Sequence, residues 1–332
     1  MTMLNFCTLF DSNYLSRGLV LYESLEKVCP SFHLYIFAFD DRSHSILTSL
    51  ALKHATIISL KQFEDPELLS VKPTRSRGEY CWTSTSSTIL YVLEHYPVDH
   101  CTYLDADMMF FADPQVLFDE MGDRSVLITE HRYSPQYNKE ALSGKYCVQF
   151  VTFRKNEEGM RVLRWWRERC LEWCYARHEE GKFGDQKYLD DWMTRFTGVH
   201  ELQHLGGGMA AWNVQQYDVF RKNDTLHGRE KKSGKDFPVV FYHFHYLRFI
   251  APDAVELGRR TLTEDVLDLL YTPYLHALVT AGNKISAIDN GFDPHGSAPG
   301  GFSWKTPLLY LYRKALGVYH IYPRSRFLAT PH

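Results

Sequence analysis

The sequence predicts an α/β fold, Rossmann-like, with a mixed, mostly parallel sheet flanked by helices. Three observations predict it. Short apolar runs alternate with segments of helical period through the first half of the 332 residues. Acidic residues close several of those runs, at Asp11, Asp40, Asp41, Asp105, Asp107 and Glu130. The 45% hydrophobic content is enough to bury a large core. Ligands of such sheets gather at the carboxyl ends of the strands, so the same acidic positions mark the expected site.

The elements follow in order. NFCTLF (5–10) reads as a first strand. SRGLVLYESLEKV (16–28) has helical spacing at Leu19, Tyr22, Leu25 and Val28, and Pro30 follows it. FHLYIFAF (32–39) is a second strand, SHSILTSLAL (43–52) a short helix and ATIISL (55–60) a third strand. TSTSSTILYVLEHY (83–96) is a helix with Pro97 behind it. HCTYLDADMMFF is a strand that ends in two aspartates, and SVLITEH (125–131) is another strand. EEGMRVLRWWRERCLEWCYARHEE (157–180) is a long amphipathic helix, and KFGDQKYLDDWMTRF (182–196) a loop and a helix. HLGGGMAAWNV (204–214) is a glycine-rich loop, and NDTLHGREKKSGKDFP (223–238) a polar hairpin or loop. VVFYHFHYLRF (239–249) reads as one strand, and EDVLDLLYTPYLHALVTAG (264–282) as a helix with a break at Pro273. The expected organisation is a catalytic domain over 1–260 and a helical C-terminal extension over 261–332.

A net charge of −3 gives no support for nonspecific nucleic-acid binding. The seven cysteines are odd in number and lack a CxxC pair, which points to a reducing compartment. Cys170, Cys174 and His178 share one face of the expected long helix; packing is the preferred role, with a metal site as the alternative. The N-terminal stretch reads as a strand rather than a signal peptide, and no apolar run reaches the ~18 residues of a membrane span. A cytoplasmic location follows as an expectation. Residues 301–332 carry Lys305, Arg313, Lys314, Arg324 and Arg326 but no Asp or Glu, interleaved with Trp304, Tyr310, Tyr312, Tyr319, Tyr322 and Phe327. That composition suits a peripheral contact with an anionic membrane at its inner face; a helix docked on the domain is the other reading.

Asp105 and Asp107 are the chemical focus. If the strand continues through Ala106, residues i and i+2 face one side and the carboxylates converge. Two convergent carboxylates repel unless a cation lies between them, and hard oxygen donors favour Mn²⁺ or Mg²⁺. Such a cation would in turn hold a diphosphate. A dehalogenase-type phosphatase would need Thr or Val where Met109 stands, and a sugar-1-phosphate nucleotidyltransferase a glycine- and arginine-rich loop that TLFDSNYLSRG lacks. A nucleotide-sugar glycosyltransferase needs a sheet, a DxD pair and a further ligand downstream, and the sequence supplies all three.

TLFDSNYLSRGLVLYESL, YLDADMMFFADP, GKFGDQKYLDDW and FYHFHYLRF, taken together, resemble the GT-A-type glycosyltransferases of the retaining, glycogenin/galactosyltransferase-like family eight, over roughly residues 3–250. EYCWTSTS, WWRERCLEWC and AAWN resemble a bacterial subgroup of glycosyltransferases more closely still. The resemblance implies that Thr8, Asp11 and Tyr14 hold the nucleotide base, with Tyr14 stacked on it. It implies Asp105 and Asp107 as the metal pair and His243 or His245 as the histidine that completes coordination, with His243 preferred. Asp185 and Gln186 match the pair beside the donor sugar, although Asp185 also suits a helix N-cap. His131 and Arg132 are candidates for acceptor or phosphate contact, and Trp212 and Asn213, after Gly206, Gly207 and Gly208, for an acceptor platform.

Two departures stand out. Cys147 and Gln149 occupy positions where the family usually has Asn and Gly, and the family's basic residue before the DxD strand is missing near Trp82, leaving Arg75 and Arg77 as replacements. The resulting expectation is a metal-dependent transferase that moves a sugar from a nucleotide diphosphate sugar, a UDP-sugar by resemblance, to a glycan or lipid-linked acceptor with retention. The rival is a noncatalytic nucleotide- or carbohydrate-binding protein on the same scaffold.

Overall fold

The computed structural model describes residues 3–299 and 306–328; Trp304 and Lys305 of the basic tail, and the side chain of Tyr310, lie outside what it describes. The central sheet is built from β1 (Leu4–Phe10), β2 (Phe32–Ala38), β3 (Ala55–Ser59), β4 (His100–Leu104) and, past the short β5 (Met108–Phe110), β6 (Val126–Glu130), β7 (Tyr146–Arg154) and β8 (Val199–Glu201). Its order is β3-β2-β1-β4-β7-β6-β8. β3, β2, β1 and β4 run parallel, β7 is antiparallel to both neighbours, and β8 is parallel to β6. This is the mixed, mostly parallel sheet the sequence predicts.

All of β1 is buried, and its side chains alternate between two cores. Phe6 and Phe10 pack with Leu19 and Leu25 of the helix Leu15–Val28. Cys7 and Leu9 pack on the other face with Ile89 and Val92 of the helix Arg77–His95 and Trp166 of the helix Glu157–Glu172.

Five elements differ from expectation. The helix expected over 83–96 starts at Arg77, because Ser76 caps it: its side chain accepts from Glu79 N while Glu79 reaches back. The long helix ends at Glu172 rather than 180. Cys174 and His178 therefore leave it, and the expected Cys170–Cys174–His178 face does not form; His178 instead stacks on Phe183 at 4.5 Å. The strand through the aspartates stops at Leu104, and the strand expected over 239–249 is interrupted after His243, where the chain turns through Tyr246 at a φ of 71°. Last, the break near Pro273 is one π turn, Leu267–Tyr271, directly before the helix Thr272–Ser286.

The interrupted segments make a second small sheet. β9 (Met209–Ala210) precedes the antiparallel triplet β10 (Tyr217–Lys222), β11 (Thr225–Glu230) and β12 (Asp236–Pro238); β13 (Phe241–His243) then pairs with β5 on one side and β9 on the other. β14 (Arg248–Ile250) and β15 (Ala254–Glu256) are joined by β16 (Ile321–Pro323) from the tail. Phe327 is buried in the core beside the sheet, and Arg324 lies over the Phe249 ring at 4.7 Å. Leu311, Tyr312 and Leu316 of the tail are exposed. No helix among the described residues is long and apolar enough to cross a membrane.

Candidate metal and nucleotide-sugar site

Because β4 ends at Leu104, Asp105 to Asp107 form a turn, and strand periodicity is not what brings the carboxylates together. Two pairings do it. Asp105 N donates to the Gln149 carbonyl at 3.2 Å, which fixes that end of the turn against β7. Phe244 N donates to the Asp107 carbonyl at 2.9 Å, and His243 stands opposite Met108 in the β13–β5 register. That register sets His243 Nε2 2.9 Å from Asp107 Oδ1 and 3.7 Å from Asp105 Oδ2.

The other face of the imidazole is fixed as well. His243 Nδ1 lies 2.7 Å from Gln149 Oε1. An amide oxygen only accepts, so Nδ1 carries a proton and Nε2 is the nitrogen turned to the carboxylates. Burial by itself would lower the His243 pKa, but the Asp107 carboxylate and its hydrogen bond outweigh this and raise it well above the usual value. Asp107, despite its burial, is held well below the carboxylate range by His243. Asp105 is pushed up to about 6 by burial and by the Asp107 charge, with His243 opposing. The site thus carries more negative charge than one imidazolium neutralises, which is the electrostatic setting a divalent cation fits.

The ligand atoms are near enough for one. Asp107, His243 and His245 each offer an atom within 4.8 Å of the others, and so do Asp105, Cys147 and His243. His245 sits beside His243 at a ring separation of 5.3 Å. Burial and the His243 charge depress its pKa to about 4, so its ring stays neutral and able to ligate.

These groups floor a cleft of about 780 Å³, within the range of small-molecule sites. At one end Asp11 caps the turn Ser12–Tyr14 and pairs with Arg77 at 2.5 Å; Arg77 also reaches Asp40 at 3.3 Å. Tyr14 is exposed on the wall, with the Arg17 guanidinium 4.4 Å over its ring. Thr8 is not at the wall: it is fully buried within β1 and its hydroxyl has no partner. Arg75 also stays away, bonded to the Leu171 carbonyl and stacked on Tyr175 at 4.0 Å. Of the two upstream arginines, only Arg77 reaches the cleft.

Asp185 and Gln186 line the cleft. Gly184 precedes them at a φ of 53°, and a Cβ there would lie 3.4 Å from the Trp82 ring. Asp185 makes no side-chain cap bond, so its helix-capping role does not hold. Burial pushes its pKa up to about 7, the Asp105 charge adds to this, and a Thr85 hydroxyl hydrogen bond opposes. Gln186 Nε2 donates to the Ser143 carbonyl, which anchors the side chain.

On the remaining wall, Trp212 donates Nε1 to the His131 carbonyl at 2.9 Å and sets its ring edge-on to His243 at 5.3 Å and His245 at 5.6 Å. Asn213 is a backbone lock, donating to the carbonyls of His131 and Gly208 and accepting from Ala210 N. The glycines before it serve chain packing rather than ligand approach: a Cβ at Gly206 would lie 1.9 Å from the Pro238 carbonyl oxygen, and none of the three lines the cleft. Arg132 turns its guanidinium onto the carbonyls of Leu202, His204 and Leu205, while His131 remains on the wall. Trp82, Phe183, Lys139 and Arg260, none of them expected as site residues, also line the cleft. The capping box at Ser76, which starts the helix at Arg77, is the sequence signal that separates Arg77 from Arg75.

No protein-family model matches the chain. It is 31% identical over 281 residues to the Bacillus subtilis (strain 168) uncharacterized protein YfnF, covering 82% of this chain and 89% of YfnF. It is 28% identical over 309 residues to YfnD of the same organism, covering 90% and 97% respectively. Among solved structures, the galactosyltransferase LgtC in complex with donor and acceptor sugar analogs superposes with a TM-score of 0.54 at 13% identity, covering 83% of this chain and 96% of LgtC. At that identity the likeness concerns the fold, which is GT-A.

Proposed function

The chain belongs to the family of the Bacillus subtilis protein YfnF and has a GT-A fold, and from that premise we propose that it is a metal-dependent glycosyltransferase that uses a nucleotide diphosphate sugar, preferentially a UDP-sugar. The observation that carries the reading is the convergence of Asp105, Asp107 and the Nε2 of His243 on the floor of the cleft. Two carboxylates and an imidazole whose far nitrogen is already satisfied suit Mn²⁺ or Mg²⁺. A divalent ion held there supplies Lewis-acid neutralisation of the departing diphosphate.

The chain's own residues divide the remaining work. Asp11 and Tyr14 hold the nucleotide base. Asp185 faces the donor sugar, where a carboxylate hydrogen-bonds hydroxyls and stabilises positive charge at the anomeric carbon. Gln186, anchored on Ser143, borders the same space. Transfer with retention follows the family-eight resemblance; the acceptor oxygen bonds to the anomeric carbon as its bond to the phosphate oxygen breaks, and that phosphate oxygen takes the acceptor's proton. The acceptor is a surface glycan or its lipid-linked precursor, and residues 261–332 extend a catalytic domain of 1–260. The exposed Leu311, Tyr312 and Leu316 and the basic tail support peripheral contact with an anionic membrane at its cytoplasmic face.

A screen of nucleotide sugars with Mn²⁺, reading released nucleotide diphosphate, tests this. Turnover of at least one donor by the wild type and its loss in Asp107→Ala supports the enzyme. UDP binding without turnover of any donor favours the noncatalytic reading.

A further inference from the structure

Two cations line the cleft without a carboxylate partner. Arg260 and Lys139 both belong to its wall, and neither forms an ion pair among the described residues. Arg77, the other arginine there, is tied to Asp11 and Asp40. Arg259, next in sequence to Arg260, lies 3.9 Å from Glu256. Of the three Lys and Arg side chains that line the cleft, these two alone have no carboxylate partner among the described residues.

Arg260 is also held in place. Its guanidinium lies over the Tyr137 ring at 4.6 Å. Tyr137 Oη is 2.9 Å from Thr261 Oγ1 and accepts from Thr261 N at 2.8 Å, and Gln215 Nε2 donates to the Thr261 carbonyl at 2.8 Å. Its Nε is buried without a partner, and its hydrogen bond to the Arg259 carbonyl is long, 3.4 Å. A preordered guanidinium with unused donors is matched to a planar or tetrahedral oxyanion. Lys139 is exposed and adds a second, mobile charge. Gln215 Nε2 also donates to the Ala211 carbonyl at 2.9 Å, beside Trp212, and Gln215 Oε1 accepts from Ser134 Oγ at 2.8 Å, which sets the two cations on the Trp212 wall of the cleft rather than beside Asp11 and Arg77.

We propose that Arg260 and Lys139 form an anion subsite at the acceptor end of the cleft, and that the acceptor glycan carries a phosphate or carboxylate there. The proposal rests on the glycosyltransferase reading, which assigns the Asp11 end to the nucleotide and leaves this end to the acceptor.

The test is a ligand-observed NMR titration of the full chain with glucose, glucose 6-phosphate and glucuronate, with and without UDP and Mn²⁺. At least one anionic sugar should bind about tenfold or more tightly than glucose, with the preference falling as salt rises. Arg260→Gln and Lys139→Gln should each erode that preference, and Arg260→Lys should retain part of it. UDP–Mn²⁺ affinity of all three variants should stay within about twofold of wild type. Lys139 is exposed, so its replacement leaves folding intact and keeps the test valid if Arg260→Gln fails to fold. Equal binding of the three sugars overturns the proposal. So does a loss of UDP–Mn²⁺ affinity that matches the loss of sugar preference, because the cations then serve the donor diphosphate. A wild type that ignores UDP and Mn²⁺ yet prefers anionic sugars overturns the transferase reading and leaves the anion subsite standing.

Discussion

His243 Nε2 lies 2.9 Å from Asp107 Oδ1, a contact set by the pairing of β13 with β5 rather than by any local motif. Without an ion this is a buried imidazolium–carboxylate pair. A cation would take the place of the proton on Nε2. His243→Ala should therefore weaken Mn²⁺ binding in the presence of UDP by about 100-fold or more, and His245→Ala by about tenfold or less. Electron paramagnetic resonance of free Mn²⁺ reads both, and the reverse order would identify His245 as the principal ligand.

Gln149 holds the opposite nitrogen of the same ring at 2.7 Å. Gln149→Leu should free the ring to turn and lower Mn²⁺ affinity about 10- to 100-fold. At saturating Mn²⁺ its kcat should recover, because the residue positions the ligand and does not touch the donor. A kcat that stays low at saturating Mn²⁺ would contradict this role.

Asp185 gives a pH-dependent stability effect of definite sign. Its pKa rises from 3.8 in the unfolded chain to about 7 in the fold. The native state therefore holds a proton that the unfolded state releases first, and stability falls as pH rises from about 4 to about 7. The deficit at pH 8 is of order 4 kcal/mol from a shift of this size. Asp185→Asn should raise the melting temperature at pH 8 in EDTA and change it far less at pH 4. Equal shifts at both pH values would show that the carboxyl is not buried in charged form.

The tail has a structural part and a free part. Phe327 is fully packed, so Phe327→Ala should cost about 3–5 kcal/mol in denaturant unfolding. Leu311→Glu with Leu316→Glu should leave that stability unchanged and release the protein from anionic liposomes. Unchanged liposome binding would end the membrane assignment. Removing the whole of 301–332 would uncover the core at Phe327 and test neither point.

The parallel half of the sheet was legible in the sequence because its strands are short apolar runs, β1 and β2 buried almost throughout and closed by acidic residues, β3 half-buried and closed by Ser59; all three lie within a residue of expectation. Asp105, Asp107, His243 and Asp185 were legible through the motifs around them, and the cleft gathers all four. The reason for their meeting was not legible. Periodicity suggested an uninterrupted strand through Asp107 and another through His245, whereas both chains break and are rejoined by long-range register. Arg75 and Arg77 were both legible as candidates, but not which of them reaches the cleft, because their segment, ahead of the first apolar stripe, gives no periodicity to orient either side chain. Thr8 and Arg132 shared motif neighbourhoods with site residues, but one is sealed within β1 and the other spends its guanidinium on three backbone carbonyls. The free charge of Arg260 could not be read from sequence, since lacking a partner is a property of the folded surroundings.

The most direct measurement of the central claim is isothermal titration of UDP into wild type and Asp107→Ala, each with Mn²⁺ and with EDTA. The account predicts tight binding only for wild type with Mn²⁺, weakened about 100-fold or more by EDTA or by the substitution. UDP binding of equal strength in all four titrations would contradict it.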